Sequence, residues 1–93
     1  TEVVKISGEI DQSNMEEKTQ PITDILNKLP QDSVLVLECV ELIYINSTFI
    51  GHLADWLNKL RAKGGQLVLR NVNKEVKAVL DLVGISKVIY LES

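Results

Sequence analysis

Cysteine is nearly absent from this chain, which limits the covalent chemistry open to it. Cys39 is the single cysteine among 93 residues, so a disulfide within the chain is impossible. It lies inside an apolar run, where a cysteine is typically a small buried hydrophobic residue, and we expect a structural thiol, not a reactive one. A chain without disulfides is consistent with a reducing compartment, and we expect a cytoplasmic location.

Long apolar runs and basic clusters are absent as well. No run approaches the roughly 20 apolar residues that a membrane-spanning helix needs, and no signal peptide opens the chain, which argues against direct membrane insertion. The net charge is -3, and the lysine and arginine residues are scattered. Because nucleic acids attract a basic surface, this charge balance argues against nucleic acid as a partner.

Aromatic residues are few, so the core must be built from valine, isoleucine and leucine. Aromatics make up 4% of the residues, whereas the hydrophobic fraction is 45% and the charged fraction is 25%. These fractions are typical of a globular chain with a hydrophobic core. A length of 93 residues fits one domain and leaves no room for a second.

The apolar pattern predicts strands that alternate with helices. Val3–Ile6 is short and β-branched, and Ser7-Gly8 ends it, which predicts a strand. Apolar runs within residues 33–40 and 66–70 are typical of strands covered by helices, and residues 88–91 predict a last strand or an extended tail. This alternation predicts an α/β fold, a small mixed β-sheet packed with α-helices, in which the pairing is largely parallel.

Two helices are predicted in the first two thirds of the chain. The first begins at Pro21, because a proline in the first turn loses no hydrogen bond, and it ends before Pro30. The polar residues 12–20 form either a loop or an earlier helical turn. The second helix covers residues 49–63, where apolar residues recur at helical spacing.

A third helix and a core complete the prediction. The helix follows the N-cap residue Asn73 and ends at Gly84. Its inward residues are expected to be Val76, Val79, Leu80 and Val83. The residues predicted to be buried across the domain are Val36, Leu37, Leu53, Leu57, Leu60, Val68 and Leu80.

Side chains for catalysis are scarce. His52 is the single histidine and follows Ser47 by about a turn and a half of helix, so it is not aimed at that serine. A hydrolase needs a nucleophile, a base and an orienting group, and the sequence has no G-x-S-x-G elbow and no glycine-rich phosphate loop. We therefore expect no enzyme, no cofactor and no metal site, and His52 is expected to be a partly exposed helix residue.

The segment Asn46-Ser47-Thr48 allows two interpretations. Its residue types favour helix N-caps, which contribute about 1 kcal/mol. It is also suited to phosphorylation, because the free N–H groups and the positive dipole end of a helix N-terminus tolerate a phosphate.

The stretch from Leu35 to Leu53 resembles the signature of the STAS domain family. In that family an apolar strand ends at an acidic residue, and an Asp-Ser-Ser/Thr-Gly-Leu-Gly motif opens the next helix. Val36-Leu37-Glu38 and Asn46-Ser47-Thr48-Phe49-Ile50-Gly51 take these positions here, and Gly8-Glu9-Ile10-Asp11 resembles the family's Gly-Glu-Leu/Ile-Asp segment. Further matches lie at Gly64–Leu69, Val72–Val76 and Leu80–Ile85. The resemblance thus covers nearly the whole chain, in order.

The resemblance is to the anti-sigma factor antagonists of the family, and it implies a site. In those proteins a partner kinase phosphorylates the serine after the motif aspartate, which is Ser47 here, with Thr48 as its neighbour. The implied partner-binding residues are Asp11, Asn46, Ser47, Thr48 and Phe49. The match begins close to the family's second strand, which implies a STAS-like domain of residues 1–93 without the family's first strand.

Two residues depart from the family motif. Asn46 replaces the aspartate, so the helix cap is kept while the negative charge beside Ser47 is lost. Phe49 replaces a glycine that would let a partner backbone approach closely. Phe49 is therefore either an apolar anchor for a different partner or an inward-packed residue that alters the start of the helix.

Two functions follow from the resemblance. The first is a bacterial transcription regulator of the anti-sigma factor antagonist type, which binds an anti-sigma factor or a serine protein kinase and is switched by phosphorylation of Ser47. The second is a STAS accessory domain or subunit of a membrane transporter. It would serve either a lipid-trafficking ATP-binding cassette system, with the transporter ATPase subunit as partner, or an anion transporter. The retained serine favours the first, and the lost aspartate and glycine favour the second.

Overall fold

Strands and helices alternate along residues 1–92, which the computed structural model describes. The strands among these residues are β1 (Glu2–Glu9), β2 (Val34–Tyr44), β3 (Gln66–Arg70) and β4 (Tyr90–Glu92). The α-helices are α1 (Met15–Lys28), α2 (Ser47–Ala62) and α3 (Lys74–Leu82), and a 3-10 turn spans Ile85–Lys87. The predicted α/β alternation is confirmed. The last predicted segment, residues 88–91, forms a strand only from Tyr90 onward, and residues 88 and 89 follow the 3-10 turn.

The strands form one sheet in the order β1-β2-β3-β4. Each neighbouring pair is parallel, so the predicted largely parallel pairing is confirmed. Within residues 1–92 the sheet that was expected to be mixed is fully parallel. The reason is that a helix follows each of the first three strands and carries the chain back to the starting edge of the sheet.

All three helices pack on the same face of the sheet. A sequential strand order has this effect when the crossovers share one hand. The sheet residues that join the helices in the buried cluster are Ile6, Leu35, Leu37, Cys39, Leu42, Leu67 and Leu69. Val36 and Val68 are also buried but lie outside that cluster, because their side chains point to the opposite face. All seven residues predicted to be buried are buried.

Helix α1 begins earlier than predicted, and this corrects the placement of Pro21. The helix starts at Met15, so Pro21 lies inside it and residues 15–20 form earlier helical turns, not a loop. Met15, Thr19, Ile22 and Leu26 form one buried stripe that continues across the proline. Burial of this stripe outweighs the backbone hydrogen bond that proline lacks, and the proline ring itself is exposed.

Helices α2 and α3 both begin at an asparagine cap, as predicted. The Asn46 side chain accepts a hydrogen bond from the Phe49 N–H at 3.0 Å, and Asn73 caps α3 in the same way. Val83 is a correction, because it was expected to face inward and is 53% exposed. Helix α3 ends before it, and Gly84, with φ of 80°, then turns the chain.

Strand β2 contains a bulge opposite β1. The paired residues on either side of it are Lys5 with Glu38 and Ser7 with Glu41. A step of three residues on β2 therefore opposes a step of two on β1, which reverses the order of inward and outward side chains. Cys39 before the bulge and Leu42 after it are both buried. A second register shift follows, because Leu42 pairs with Gly8 and Tyr44 pairs with Glu9, and both Ile43 and Tyr44 are exposed.

Candidate functional site

The serine motif and the Gly8–Asp11 segment meet at one edge of the sheet. Strands β1 and β2 are parallel neighbours, so their carboxyl ends lie side by side. The backbone N–H of Ile10 donates to the carbonyl oxygen of Tyr44 at 2.8 Å, which extends the pairing beyond β1. Because α1 and α2 both begin just past this edge, Asp11 and Ser47 lie in the same region, where α/β folds commonly bind their ligands.

The first turn of α2 presents Ser47 and Thr48 to solvent. Both residues are exposed, and Asn46 fixes the turn by accepting from the Phe49 N–H. The described residues of this first turn include no acidic side chain. No acidic side chain in this turn therefore neutralises the positive end of the helix dipole or occupies its free N–H groups. This favours an anion on Ser47.

The loop between β1 and α1 holds Asp11 through a small network of hydrogen bonds. One carboxylate oxygen of Asp11 accepts from the Ser13 hydroxyl at 2.6 Å and from the Ser13 N–H at 2.9 Å. Asn14 accepts from the Asp11 N–H at 3.0 Å and donates to the Glu9 carbonyl at 2.8 Å. The Ser13 hydroxyl, with its backbone N–H, lowers the pKa of Asp11, so this exposed carboxylate is charged at neutral pH.

Gln12 connects the loop to the serine motif. Its side-chain amide donates to the Thr48 hydroxyl at 3.1 Å. This contact joins Asp11 and Gln12 to Asn46, Ser47 and Thr48 as one surface, which we call the carboxyl-edge surface. Gln12 was not singled out from the sequence, because a glutamine in a polar run carries no pattern that would distinguish it.

Phe49 does not belong to this surface, which corrects its inclusion among the partner-binding residues. Its side chain is 2% exposed and packs edge-to-face on Trp56, with ring centroids 5.7 Å apart. The side chain of Phe49 therefore packs inward and is not an apolar anchor for a partner. The start of α2 is nevertheless regular, since the Asn46 cap is intact.

Two apolar side chains beside the serine motif were missed from the sequence. Ile43 is 55% exposed and Tyr44 is 47% exposed at the end of β2. The apolar run 42–45 was interpreted as a continuation of a buried strand, and the two register shifts against β1 leave these two side chains exposed. Exposed apolar residues next to a polar patch are typical of protein-binding surfaces.

Other reactive side chains are placed away from the carboxyl-edge surface or are shielded. Cys39 is 2% exposed, and its burial, together with the Glu38 carboxylate, raises the pKa of the thiol to about 12. His52 is partly exposed, as predicted, and lies against Trp56 with ring centroids 5.9 Å apart. Within residues 1–92, no group of three or more His, Cys, Asp or Glu side chains could hold a metal ion. No helix in that range is long and apolar enough to cross a membrane.

Several solved structures share this fold, including the following three. The candidate anti-sigma factor antagonist tm1081 of Thermotoga maritima has a TM-score of 0.80 and 22% identity, covering 98% of this chain and 79% of that chain. The anti-sigma factor antagonist SpoIIAA in its unphosphorylated form has a TM-score of 0.79 and 18% identity, with 98% and 77% covered. A sulfate transporter family protein from Wolinella succinogenes has a TM-score of 0.78 and 17% identity, with 98% and 75% covered.

Sequence identities of 17–22% to these structures show a shared fold and nothing more. The family is shown instead by a match of the sequence to a family model. The STAS domain model matches residues 2–93, almost the whole chain. The resemblance seen in the Gly8–Asp11 segment and the serine motif is thereby confirmed. The chain belongs to the STAS domain family.

Proposed function

We propose that this STAS domain is a bacterial, cytoplasmic regulatory module of the anti-sigma factor antagonist type. It binds an anti-sigma factor or a serine protein kinase through the carboxyl-edge surface and performs no catalysis itself. The observation that carries the proposal is the exposed Ser47 at a capped helix start, joined through Thr48 and Gln12 to the loop that presents Asp11. The fold shared with SpoIIAA adds support.

Phosphorylation of Ser47 is the proposed switch. A phosphate adds a charge of roughly -1.5 to -2 and three acceptor oxygens. It is compatible with the folded domain because the helix N-terminus favours an anion. It nevertheless introduces charge and bulk into the carboxyl-edge surface, which also carries the ionised Asp11. The modification therefore releases the partner without unfolding the domain.

The apolar flank of the site explains how a small domain holds its partner. Ile43 and Tyr44 offer exposed apolar area next to the polar carboxyl-edge surface. Interfaces commonly place such residues in a desolvated centre with polar groups around them. We propose that these two side chains supply affinity, whereas Ser47 controls whether binding occurs.

The test uses a purified serine protein kinase of the anti-sigma factor type, with ATP. Mass spectrometry of the treated domain is expected to locate the phosphate on Ser47, and Ser47→Ala is expected to remain unmodified. In a binding assay Ser47→Asp is expected to weaken binding at least tenfold, because one misplaced charge in an interface typically costs about 1.4 kcal/mol or more.

A matched control separates this site from the general effect of charge. Asn58→Asp adds one negative charge to an exposed position in the C-terminal half of α2, about three turns away from Ser47. It is expected to leave binding unchanged. If Ser47→Asp binds as tightly as the unmodified domain, Ser47 is a helix-start residue alone and the switch does not exist.

A transporter role is the second candidate. It is supported by the fold shared with a sulfate transporter family protein and by Asn46, which leaves no acid beside Ser47. In this case the partner is a transporter ATPase subunit of a lipid-trafficking system, or the domain serves an anion transporter. Transport genes beside this one, together with an unmodified Ser47 in protein from native cells, would favour this role over the first.

A further inference from the structure

The sheet face opposite the helices carries two rows of side chains that run straight across all four strands. The strand register aligns Val3, Val36, Val68 and Tyr90 in one row. It aligns Lys5, Glu38, Arg70 and Glu92 in the next row. We call these the apolar row and the charged row. No described helix packs over them, since the helices all join the buried cluster on the other face.

The apolar row is buried in its centre and open at both ends. Val36 is 3% exposed and Val68 is 7% exposed in the two central strands. Val3 and Tyr90 are 50% and 67% exposed. The row therefore offers apolar contact area at both edges of the sheet.

The charged row alternates in sign from one edge to the other. In strand order its charges are positive, negative, positive and negative. Within the chain, Arg70 contacts Glu92 at 2.9 Å and Glu38 at 3.9 Å. Lys5 contacts the exposed Glu41 at 3.0 Å, so its contact with a second copy competes with this pair. Reversing this order gives the opposite sign at every position, so the row is complementary to its own reversed copy.

We propose that a second copy of this chain packs on this face, related by a twofold axis parallel to the strands. Such an axis reverses strand order across the interface, so β1 of one copy faces β4 of the other. Lys5 then faces Glu92 of the second copy, and Glu38 faces Arg70 of the second copy. In the apolar row Val3 faces Tyr90, and Val36 faces Val68.

The charge pattern selects this orientation over its alternative. A twofold axis perpendicular to the strands and through the charged row would place each charge opposite its own copy, which is repulsive. Sheets packed face to face lie about 10 Å apart, within reach of long ionic side chains. The face has four strands only, so the dimer is smaller than a standard interface and weak. The carboxyl-edge surface lies at the strand ends and remains free.

Charge reversal in two positions tests the proposal. Sedimentation of the full chain at low salt is expected to show a monomer–dimer equilibrium. Lys5→Glu and Glu92→Lys are each expected to weaken it about tenfold, because each contact occurs twice across a twofold axis. The double variant Lys5→Glu/Glu92→Lys is expected to restore dimerisation to within about threefold. The two positions are roughly 14 Å apart within one chain, three strand spacings, so rescue must come from contact between copies.

Two further variants complete the test. Tyr90→Ser removes exposed apolar area and is expected to weaken the dimer about fivefold. Lys59→Glu is the control, because it reverses an exposed, ion-paired lysine on α2, and it is expected to leave the dimer unchanged. A folded chain that stays monomeric to about 1 mM overturns the proposal and leaves this face to a different protein. The proposal is also overturned if neither Lys5→Glu nor Glu92→Lys weakens the dimer. It is overturned as well if the double variant dimerises no better than the single variants.

Discussion

The pKa values of Asp11 and Cys39 are shifted in opposite directions, because hydrogen bonds stabilise the charged form of one side chain whereas burial disfavours the charged form of the other. The Asp11 carboxylate is exposed and its pKa is lowered by the hydrogen bonds from Ser13. The Cys39 thiol is enclosed, and burial raises its pKa. The burial of Cys39 could be predicted from the apolar run around it. The contacts of Asp11 could not, because they depend on the loop conformation.

The stability of the domain is expected to fall above pH 9 through Cys39. The unfolded thiol ionises near its ordinary pKa of 9.0, whereas the folded thiol keeps its proton until about 12. The contribution is therefore complete below pH 9 and is lost as the pH rises toward 12, by up to about 1.4 kcal/mol per pH unit.

Urea unfolding at pH 7.5, 9 and 10.5 measures this effect. Cys39→Ala serves as the reference, because it retains every other titrating group. The wild-type free energy of unfolding is expected to decline more steeply with pH than that of the variant. Parallel pH profiles for the two proteins would show that the thiol is not enclosed.

At the scale of secondary-structure elements, local signals and burial compete. The asparagine caps of α2 and α3 were predictable because capping depends on neighbouring residues alone. The start of α1 was not, since Pro21 gives a strong local signal for a first turn whereas the buried stripe from Met15 onward requires a longer helix. Phe49 shows the same limit, because the orientation of α2 decides its burial.

Replacing Pro21 with alanine is expected to stabilise the domain. Pro21 lies inside α1 and is exposed, so alanine adds a backbone N–H for the helix without disturbing the core. Proline costs about 3 kcal/mol relative to alanine in a helix interior, and its effect on the unfolded chain offsets up to about 1 kcal/mol. We expect a gain of about 1–2.5 kcal/mol in the free energy of unfolding.

Chemical denaturation of Pro21→Ala beside Gln20→Ala is the measurement. The glutamine is the exposed neighbour in the same helix, and its replacement removes one exposed hydrogen bond to Asp24, which changes the stability by about 0.5 kcal/mol or less. Equal free energies of unfolding for Pro21→Ala and the wild type would mean that the proline does not destabilise α1, and the prediction would be wrong.

The whole molecule is a sheet with helices on one side. The strand segments and their parallel direction could be predicted from apolar runs that alternate with helices. The placement of the Asp11 loop next to the serine motif follows only from the strand order, in which β1 and β2 are neighbours. The register across all four strands, which forms the apolar row and the charged row, depends on pairing that no single segment encodes.

This one-sided arrangement predicts unequal costs of truncation. Leu57 is 6% exposed between α2 and the sheet, whereas Val3 is 50% exposed on the open face. Leu57→Ala is expected to cost about 2–5 kcal/mol, the usual range for a packed core leucine. Val3→Ala is expected to cost about 0.5 kcal/mol or less.

Thermal and urea unfolding at low protein concentration measure both variants on the monomer. A loss below about 0.5 kcal/mol for Leu57→Ala would mean that α2 presents a different face to the sheet. A large loss for Val3→Ala would show that the open face is covered within the monomer.

The bulge in β2 divides one strand into two halves whose sequences can change independently. The inward residues before it, Leu35, Leu37 and Cys39, belong to the buried cluster, and a change there disturbs that cluster. Ile43 and Tyr44 after it lie beside Ser47 and contribute little to that cluster. Under the proposed function, partner preference can therefore change by substitution at these two exposed positions, while the scaffold that holds Ser47 stays the same.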